Sequence, residues 1–525
     1  MKTKKTLGIA ALLALLPLAN SCNLDEELNS TAPATGSTST TANTASLLNG
    51  VYIAMRDPFQ GAANVFALSE VSTDERIMPT RGPDWDDNGK WRQLHLHTWD
   101  ANNEQIRNSF NGLGGVVFAA TDMLRFNPSP QQDAEARFLR AWANYWTLDM
   151  FDQVPYRDPG ELVTSNARVR KGTEALDYII SELNAIIPNL ADAPKTRATK
   201  DAARGLLMKC YLNRGVYANR AAPTFAPADM NLVIQLADQI IAGNRYTFAA
   251  NYFDNFAPAN GTIGTENIFT NENIGGSSSG SMRDLWRFTS HYNMNPSGYN
   301  GPAVPAEFYN KFEANDKRRG TAYKYTGQGV NVNPGNRINV GFLVGQQYNL
   351  ATDAPLETRT RGERLIFTPT VSIIETGSNL ESTGIRVFKY APDVPNDPSA
   401  LTDNDMVHLR LPDILLMKAE AILRGGTATN AGPYGGTALA LVNSIRTHPS
   451  RGASALTSLT LDALLDERGR ELYLELWRRQ DLIRFGKFLA PSDVRTQASA
   501  STYLIFPIPN QQLAVNPNIT QNPGY

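Results

Sequence analysis

Across residues 133–151, Ala134, Phe138, Ala141, Trp142, Tyr145 and Leu148 recur at three- and four-residue intervals, which makes one face of a long helix bulky and apolar. Such a face has to be covered, and the chain supplies covering segments in series. Residues 104–126 carry a matching pattern just upstream, and 174–190 with 200–217 form a second pair. Residues 229–242 follow alone, and helical periodicity returns at 407–424, 436–446 and 461–485. The stretch between, about 247–404, is rich in Asn, Gly, Ser and Thr, with short apolar pieces at 364–371 and 385–390 that read as strands inside loops. The expectation is a mainly α fold, with tetratricopeptide-like helical hairpins in an α/α superhelix that carries long loop insertions and a few short strands.

No covalent staple supports that fold. The chain has two cysteines, Cys22 and Cys210. Cys22 follows a basic start (Lys2, Lys4, Lys5), an apolar run from Leu7 to Leu18, and Ala19-Asn20-Ser21, the order of a secretory signal. The run is broken by Pro17 and falls short of the roughly 20 residues that cross a bilayer. A cysteine directly after small residues is the acceptor for lipoprotein processing, although Leu18 stands four rather than three residues before it. Residues 1–21 are therefore read as a lipoprotein signal peptide and Cys22 as the lipidated residue. Residues 22–44 are read as a tether, because 29–44 are almost all Ser, Thr, Ala, Pro and Gly. Lipidation leaves Cys210 unpaired, so stability has to come from burial, for which 525 residues with 42% hydrophobic content are ample. Basic and acidic residues nearly balance, at 49 and 51, and no basic stripe suggests a nucleic-acid partner.

Many segments in the globular part resemble one family. They begin with Ala45-Ser46-Leu47-Leu48-Asn49-Gly50-Val51-Tyr52 and Ser72-Thr73-Asp74-Glu75, then Glu135-Ala136-Arg137-Phe138-Leu139-Arg140-Ala141, Val154-Pro155-Tyr156 and Ala198-Thr199-Lys200-Asp201. Asn315-Asp316-Lys317-Arg318, Lys389-Tyr390 and Arg410-Leu411-Pro412-Asp413 follow, and after them Asn443 to Arg446, Glu467-Arg468, Glu471-Leu472, Arg478 to Arg484 and Phe506-Pro507-Ile508-Pro509. In joint order behind a lipoprotein signal, these are similar to the SusD/RagB family of outer-membrane nutrient-binding lipoproteins. The resemblance implies an N-terminal helical region over 45–240 and a C-terminal region over 241–525 that includes variable specificity loops. It implies a non-catalytic lid that captures an oligosaccharide and closes over a SusC-like TonB-dependent transporter, with the lipid on Cys22 holding it at the outer membrane. Asp25-Glu26-Glu27 resembles the signal that sends such lipoproteins to the cell surface. Peptide capture, the RagB side of the family, is the alternative; a glycoside hydrolase is a remote one, since no carboxylate pair stands apart.

A sugar ring presents a C–H face and a rim of hydroxyls, so it needs aromatic platforms flanked by amides, carboxylates and arginines. Residues 81–100 hold Trp85, Trp91 and Trp99 among many polar groups, and 286–300 hold Trp286, Tyr292, Tyr299, Asn293 and Asn295. The family resemblance places ligand aromatics in these two regions. The candidate ligand-binding residues are Trp85, Trp286, Tyr292, Tyr299, Trp91 and Asn293. The competing reading is that such aromatics pin loops to the helices, above all Trp91 and Trp99, which flank a possible strand at 94–98. Trp142, Tyr145, Trp146 and Trp477 lie on helical stripes and are read as core.

Other motifs reduce to structure. Asp84-x-Asp86-x-Asn88-Gly89 copies the front of a calcium loop, but position twelve is His95, so a polar turn is expected. Gly276-Ser277-Ser278-Ser279-Gly280 lacks the strand and helix of a nucleophile elbow. His95 and His97, read as neighbours on one strand face, lack a third ligand and are taken as polar surface. Glu467, Glu471 and Glu475 share a helical stripe with arginines around them, which reads as salt-bridged packing. No cofactor and no catalytic residue is expected.

Overall fold

Capping residues set where the helices begin. After α1 (Thr44–Ala54) and the short α2 (Lys90–Leu96), Asn103 opens α3 (Glu104–Leu124) by accepting from the Gln105 and Ile106 N–H groups. Ser129 and Gln132 cap each other's backbone at the head of α4 (Pro130–Phe151), with Pro130 in the first turn. Then come α5 (Gly172–Ile186), α6 (Lys200–Ala218), which Thr199 caps, and α7 (Pro227–Ala242). From α3 to α7 each helix packs on the next, the serial contact of stacked hairpins. The computed structural model describes residues 43–324 and 333–525, so the signal, the tether up to residue 42 and Cys22 lie outside the described residues.

The later helices are α8 (Leu411–Leu423), α9 (Ala438–Arg446), α10 (Leu461–Leu472) and α11 (Arg478–Arg484). Of these, α8 packs on α6 and α7 as well as on α9 and α10: its Leu411, Leu415, Leu416 and Ala419 join a second core with α9, while Ile414, Met417 and Ala421 face the main core. Trp142, Tyr145, Trp146 and Trp477 are all buried there, Trp146 stacked on Trp477 at 4.9 Å. The strands are short: β1 (Gln153–Tyr156) with β2 (Arg168–Lys171), β3 (Asn267–Asn271) with β6 (Met406–Arg410), and β4 (Val340–Leu343) with β5 (Arg386–Phe388), each pair antiparallel.

Two helical expectations change. Residues 407–410 belong to β6, and the helix starts only at Leu411, with Pro412 in its first turn. Every residue of β6 is buried, so its side chains show no alternation and periodicity cannot separate strand from helix. Residues 461–485 are two helices, because Leu474 and Leu476 adopt positive φ of 55° and 74°. Carboxylates from residues 70–75 hold this break: the Leu474 N–H donates to Glu75 at 2.9 Å and the Leu476 N–H to Glu70 at 2.6 Å.

His408 on β6 is buried among Phe59, Trp142 and Phe269, and neither ring nitrogen has a hydrogen-bond partner. Burial alone pushes its pKa down to about 3, so the folded chain keeps it neutral while the unfolded chain protonates it near pH 6.5. Stability is thereby lost as pH falls from about 6.5 to 3, at about 1.4 kcal/mol per pH unit. His408→Leu is expected to stabilise the fold, with a gain that grows across that window in denaturant midpoints. A gain independent of pH would refute the assignment.

Candidate ligand-binding site

The two aromatic-rich loops of the sequence meet in the structure. The first is a tight turn in which Arg81 and Asp84 exchange backbone hydrogen bonds of 2.8 and 3.1 Å, and Trp85 leaves it at φ 62°, a conformation strained for a bulky residue. The strain is held from the second loop: the Trp85 indole N–H donates to the Tyr299 carbonyl at 2.9 Å, and its ring lies edge-on to Phe288 at 5.1 Å. Gly301 makes room for that ring, since a Cβ there would come within 2.4 Å of it. The second loop is fixed in turn by the Tyr299 N–H to the Arg287 carbonyl at 2.7 Å and the Gly301 N–H to the Phe288 carbonyl at 2.7 Å. Buried Asn300 receives the Arg386 guanidinium at 2.8 Å.

Tyr299 is 48% exposed, Trp85 and Tyr292 are half-buried and Asn293 is exposed. The Tyr292 hydroxyl donates to Asp84 at 3.3 Å, and the Arg359 guanidinium lies 3.7 Å from its ring centre, so one face of Tyr292 is already covered. Burial, reinforced by the nearby Asp84 charge, raises the Tyr292 pKa, which keeps the hydroxyl a neutral donor. Asn293 donates to the Glu357 carbonyl at 2.8 Å. Beneath this surface His291 meets Glu381 at 2.7 Å; burial lowers the His291 pKa against the opposing pull of Glu381. Met294, Asn295 and Pro296 of the same loop also line a cavity of about 750 Å³ whose walls include Ile338, Tyr348 and Phe388. A half-buried aromatic surface edged by amides and carboxylates beside such a cavity suits a neutral ring ligand, and no group on it is poised to break a bond.

Two candidates are corrected. Trp286 is fully buried in a small separate core with Leu343, Leu365 and Phe367, and its indole N–H donates to Asp397 at 2.9 Å, so it offers no face to a ligand. Trp91 is buried against Trp85 and Phe288 and donates to Asp87 at 2.7 Å. The possible strand at 94–98 is instead the end of α2 and the turn after it; the Leu-His-Leu-His alternation imitates a strand. His95 and His97 are buried, not surface: His95 meets the Val71 carbonyl at 3.2 Å, and His97 lies between the Ser72 carbonyl and Arg495 at 2.9 and 2.8 Å. Burial pushes the His95 pKa down to about 4, with Arg495 adding to the shift. The acidic turn separates its carboxylates: Asp84 faces Tyr292, Asp86 pairs with Arg92 and Asp87 takes the Trp91 indole. Ser278 takes the Arg56 guanidinium at 2.7 Å within a turn closed between Ile274 and Ser278.

The family model described as the SusD family matches residues 237–495, and one described as starch-binding, associating with outer membrane, matches 24–212. The chain belongs to the SusD/RagB family. It is 26% identical over 516 residues to starch-binding protein SusD of Bacteroides thetaiotaomicron, a match that covers 88% of this chain and 85% of that one. A SusD-like protein of Bacteroides ovatus is 25% identical over 74% of this chain and 66% of its own length. Among solved structures, a SusD superfamily protein from Parabacteroides distasonis superposes with a TM-score of 0.69 at 20% identity, covering 92% of this chain and 98% of that one. Surface glycan-binding protein A from Bacteroides thetaiotaomicron, in complex with laminarihexaose, gives 0.66 at 18% identity, covering 91% and 98%. SusD/RagB proteins are binding proteins and not enzymes, and this chain is placed with them. Sequence reasoning missed Phe288 and Arg359, which pack directly on the Trp85 and Tyr292 rings, and Arg386, which holds Asn300. Gly301 did leave a signal, since Tyr299-Asn300-Gly301 resembles the Trp-Asn-Gly customary in the SusD/RagB family, with tyrosine in place of the tryptophan.

Proposed function

We propose that the chain captures glycan oligomers at the cell surface and delivers them to a SusC-like TonB-dependent transporter, with Trp85, Tyr292, Tyr299 and Asn293 as the contact surface. The observation that carries the reading is the convergence of two sequence-distant loops on one aromatic surface, in a chain whose relatives include a starch-binding protein and a structure bound to laminarihexaose. A ligand handed to a membrane channel has to stay near it, and lipid on Cys22 with the 22–44 tether raises the effective concentration of captured ligand there. Calorimetry of the purified protein against starch, laminarin and xyloglucan oligosaccharides and a peptide pool tests the ligand class. Binding to at least one oligosaccharide is expected, whereas binding to peptides alone would transfer the reading to peptide capture. For the anchor, mass spectrometry of the mature N-terminus is expected to find acyl chains on Cys22. Cys22→Ala is expected to release the protein from the outer-membrane fraction, and its retention there would overturn the anchor.

A further inference from the structure

A second cavity, of about 550 Å³, is formed by α3, α4, the β1–β2 loop and the short C-terminal helix Asn510–Val515. It shares no lining residue with the aromatic surface described above. Its walls are fixed before any ligand arrives. Gln512 donates to Asn111 at 2.8 Å, Asn516 to the Ala167 carbonyl at 3.0 Å, and Arg157 to the Ser165 carbonyl at 2.6 Å. Three features show a site rather than a packing gap. Asn144 of α4, 3% exposed, lines the cavity, and its side-chain oxygen has no hydrogen-bond partner. Gly114 lines it from the middle of α3, where glycine is less favourable than alanine, and nothing lies within 4 Å of the point its Cβ would occupy. Phe118, Val163 and Val515, from three separate segments, converge on it while 53%, 65% and 69% exposed.

The lining chemistry selects the ligand. No carboxylate and no lysine lines the cavity, and its one cation, Arg157, is already engaged by backbone carbonyls. That disfavours a charged ligand of either sign. A purely apolar ligand would leave the Asn144 oxygen unpaired. What remains is a neutral ring with one apolar face and several hydroxyls, matched to a lining that combines apolar Phe118, Val163 and Val515 with the amides of Asn144, Asn111 and Gln512. We propose that this cavity is a second carbohydrate site that takes one neutral sugar ring, independent of the surface around Trp85 and Tyr299.

The test is saturation-transfer NMR on the purified mature protein carrying Trp85→Ala and Tyr299→Ala, so that the other surface is silenced. The probes are the methyl glycosides of glucose, galactose, mannose and N-acetylglucosamine. At least one is expected to give a transfer signal that Gly114→Trp abolishes and Asn144→Leu weakens about tenfold. If Gly114→Trp does not fold, Val515→Glu, at an exposed rim position, is expected to abolish the signal instead. Absence of signal from all four glycosides would overturn the proposal, as would a signal that survives the filling variants. An alkyl probe that binds while the glycosides do not would also overturn it.

Discussion

Replacing Glu471 with alanine is expected to destabilise the fold by about 3–5 kcal/mol, read as a shift of the denaturant midpoint. Glu471 on α10 is fully buried and accepts from Arg451 at 2.6 Å, from Arg318 at 2.9 Å and from Arg410. Burial alone would raise its pKa, but these three guanidiniums outweigh it and hold the carboxyl far below the ordinary range. The arginines come from separate parts of the chain and bring further carboxylates with them. Arg451 and Arg410 also hold Glu266, Arg410 holds Glu475, and Arg318 holds Asp316 and Glu467, every one of them buried. Removing Glu471 leaves three desolvated cations short of a counter-charge at the point where α10, β6 and the 316–319 turn meet. Glu363→Ala, which breaks the exposed Arg361–Glu363 pair, is the control and is expected to cost less than about 1 kcal/mol. Equal effects from the two variants would refute the view that buried pairing holds this junction.

The same network explains what the sequence did and did not disclose. Arg318, Lys389, Arg410, Arg446, Glu467 and Glu471 carry the family resemblance, and the structure uses them all as buried ion pairs, so that pattern records packing rather than ligand contact. The helical stripe read through Glu467, Glu471 and Glu475 spans a break, yet the reading of salt-bridged packing holds because all three still face arginine. Helices such as α3, α4 and α6 were legible because their buried face repeats within a few residues. Exposure of an aromatic in a loop is a different kind of property. Trp99 is covered by Tyr503 and Phe506, and Trp91 by Phe288, partners roughly 200 to 400 positions away in the chain, so nothing local separates them from Trp85. His408 and His97 are the converse case, polar residues that distant segments enclose.

Trp85→Ala is expected to weaken oligosaccharide binding at least about tenfold, and Tyr299→Ala by a similar factor, because truncation removes the ring area a sugar face would cover. Loss of binding alone does not separate contact from collapse of the loop, and Gly301 supplies the distinction. An added Cβ at Gly301 would meet the Trp85 ring at 2.4 Å, whereas the backbone there does not need a glycine, since its φ is not positive. Gly301→Ala therefore displaces the indole without removing any aromatic residue from the chain. It is expected to reduce affinity by about the same factor as Trp85→Ala and to shift tryptophan fluorescence as the indole leaves Phe288. It should leave the melting temperature close to that of the parent, because the ring it moves is only half-buried. Trp85→Phe keeps an aromatic face but loses the hydrogen bond to the Tyr299 carbonyl, and it is expected to recover part of the affinity. Unchanged affinity in Trp85→Ala, Tyr299→Ala and Gly301→Ala together would move the ligand off this surface, with the 750 Å³ cavity behind Met294 and Asn295 the next place to look. Loss in the two truncations with none in Gly301→Ala would instead mean that the indole binds equally well after displacement, and that its strained backbone serves the loop rather than the ligand.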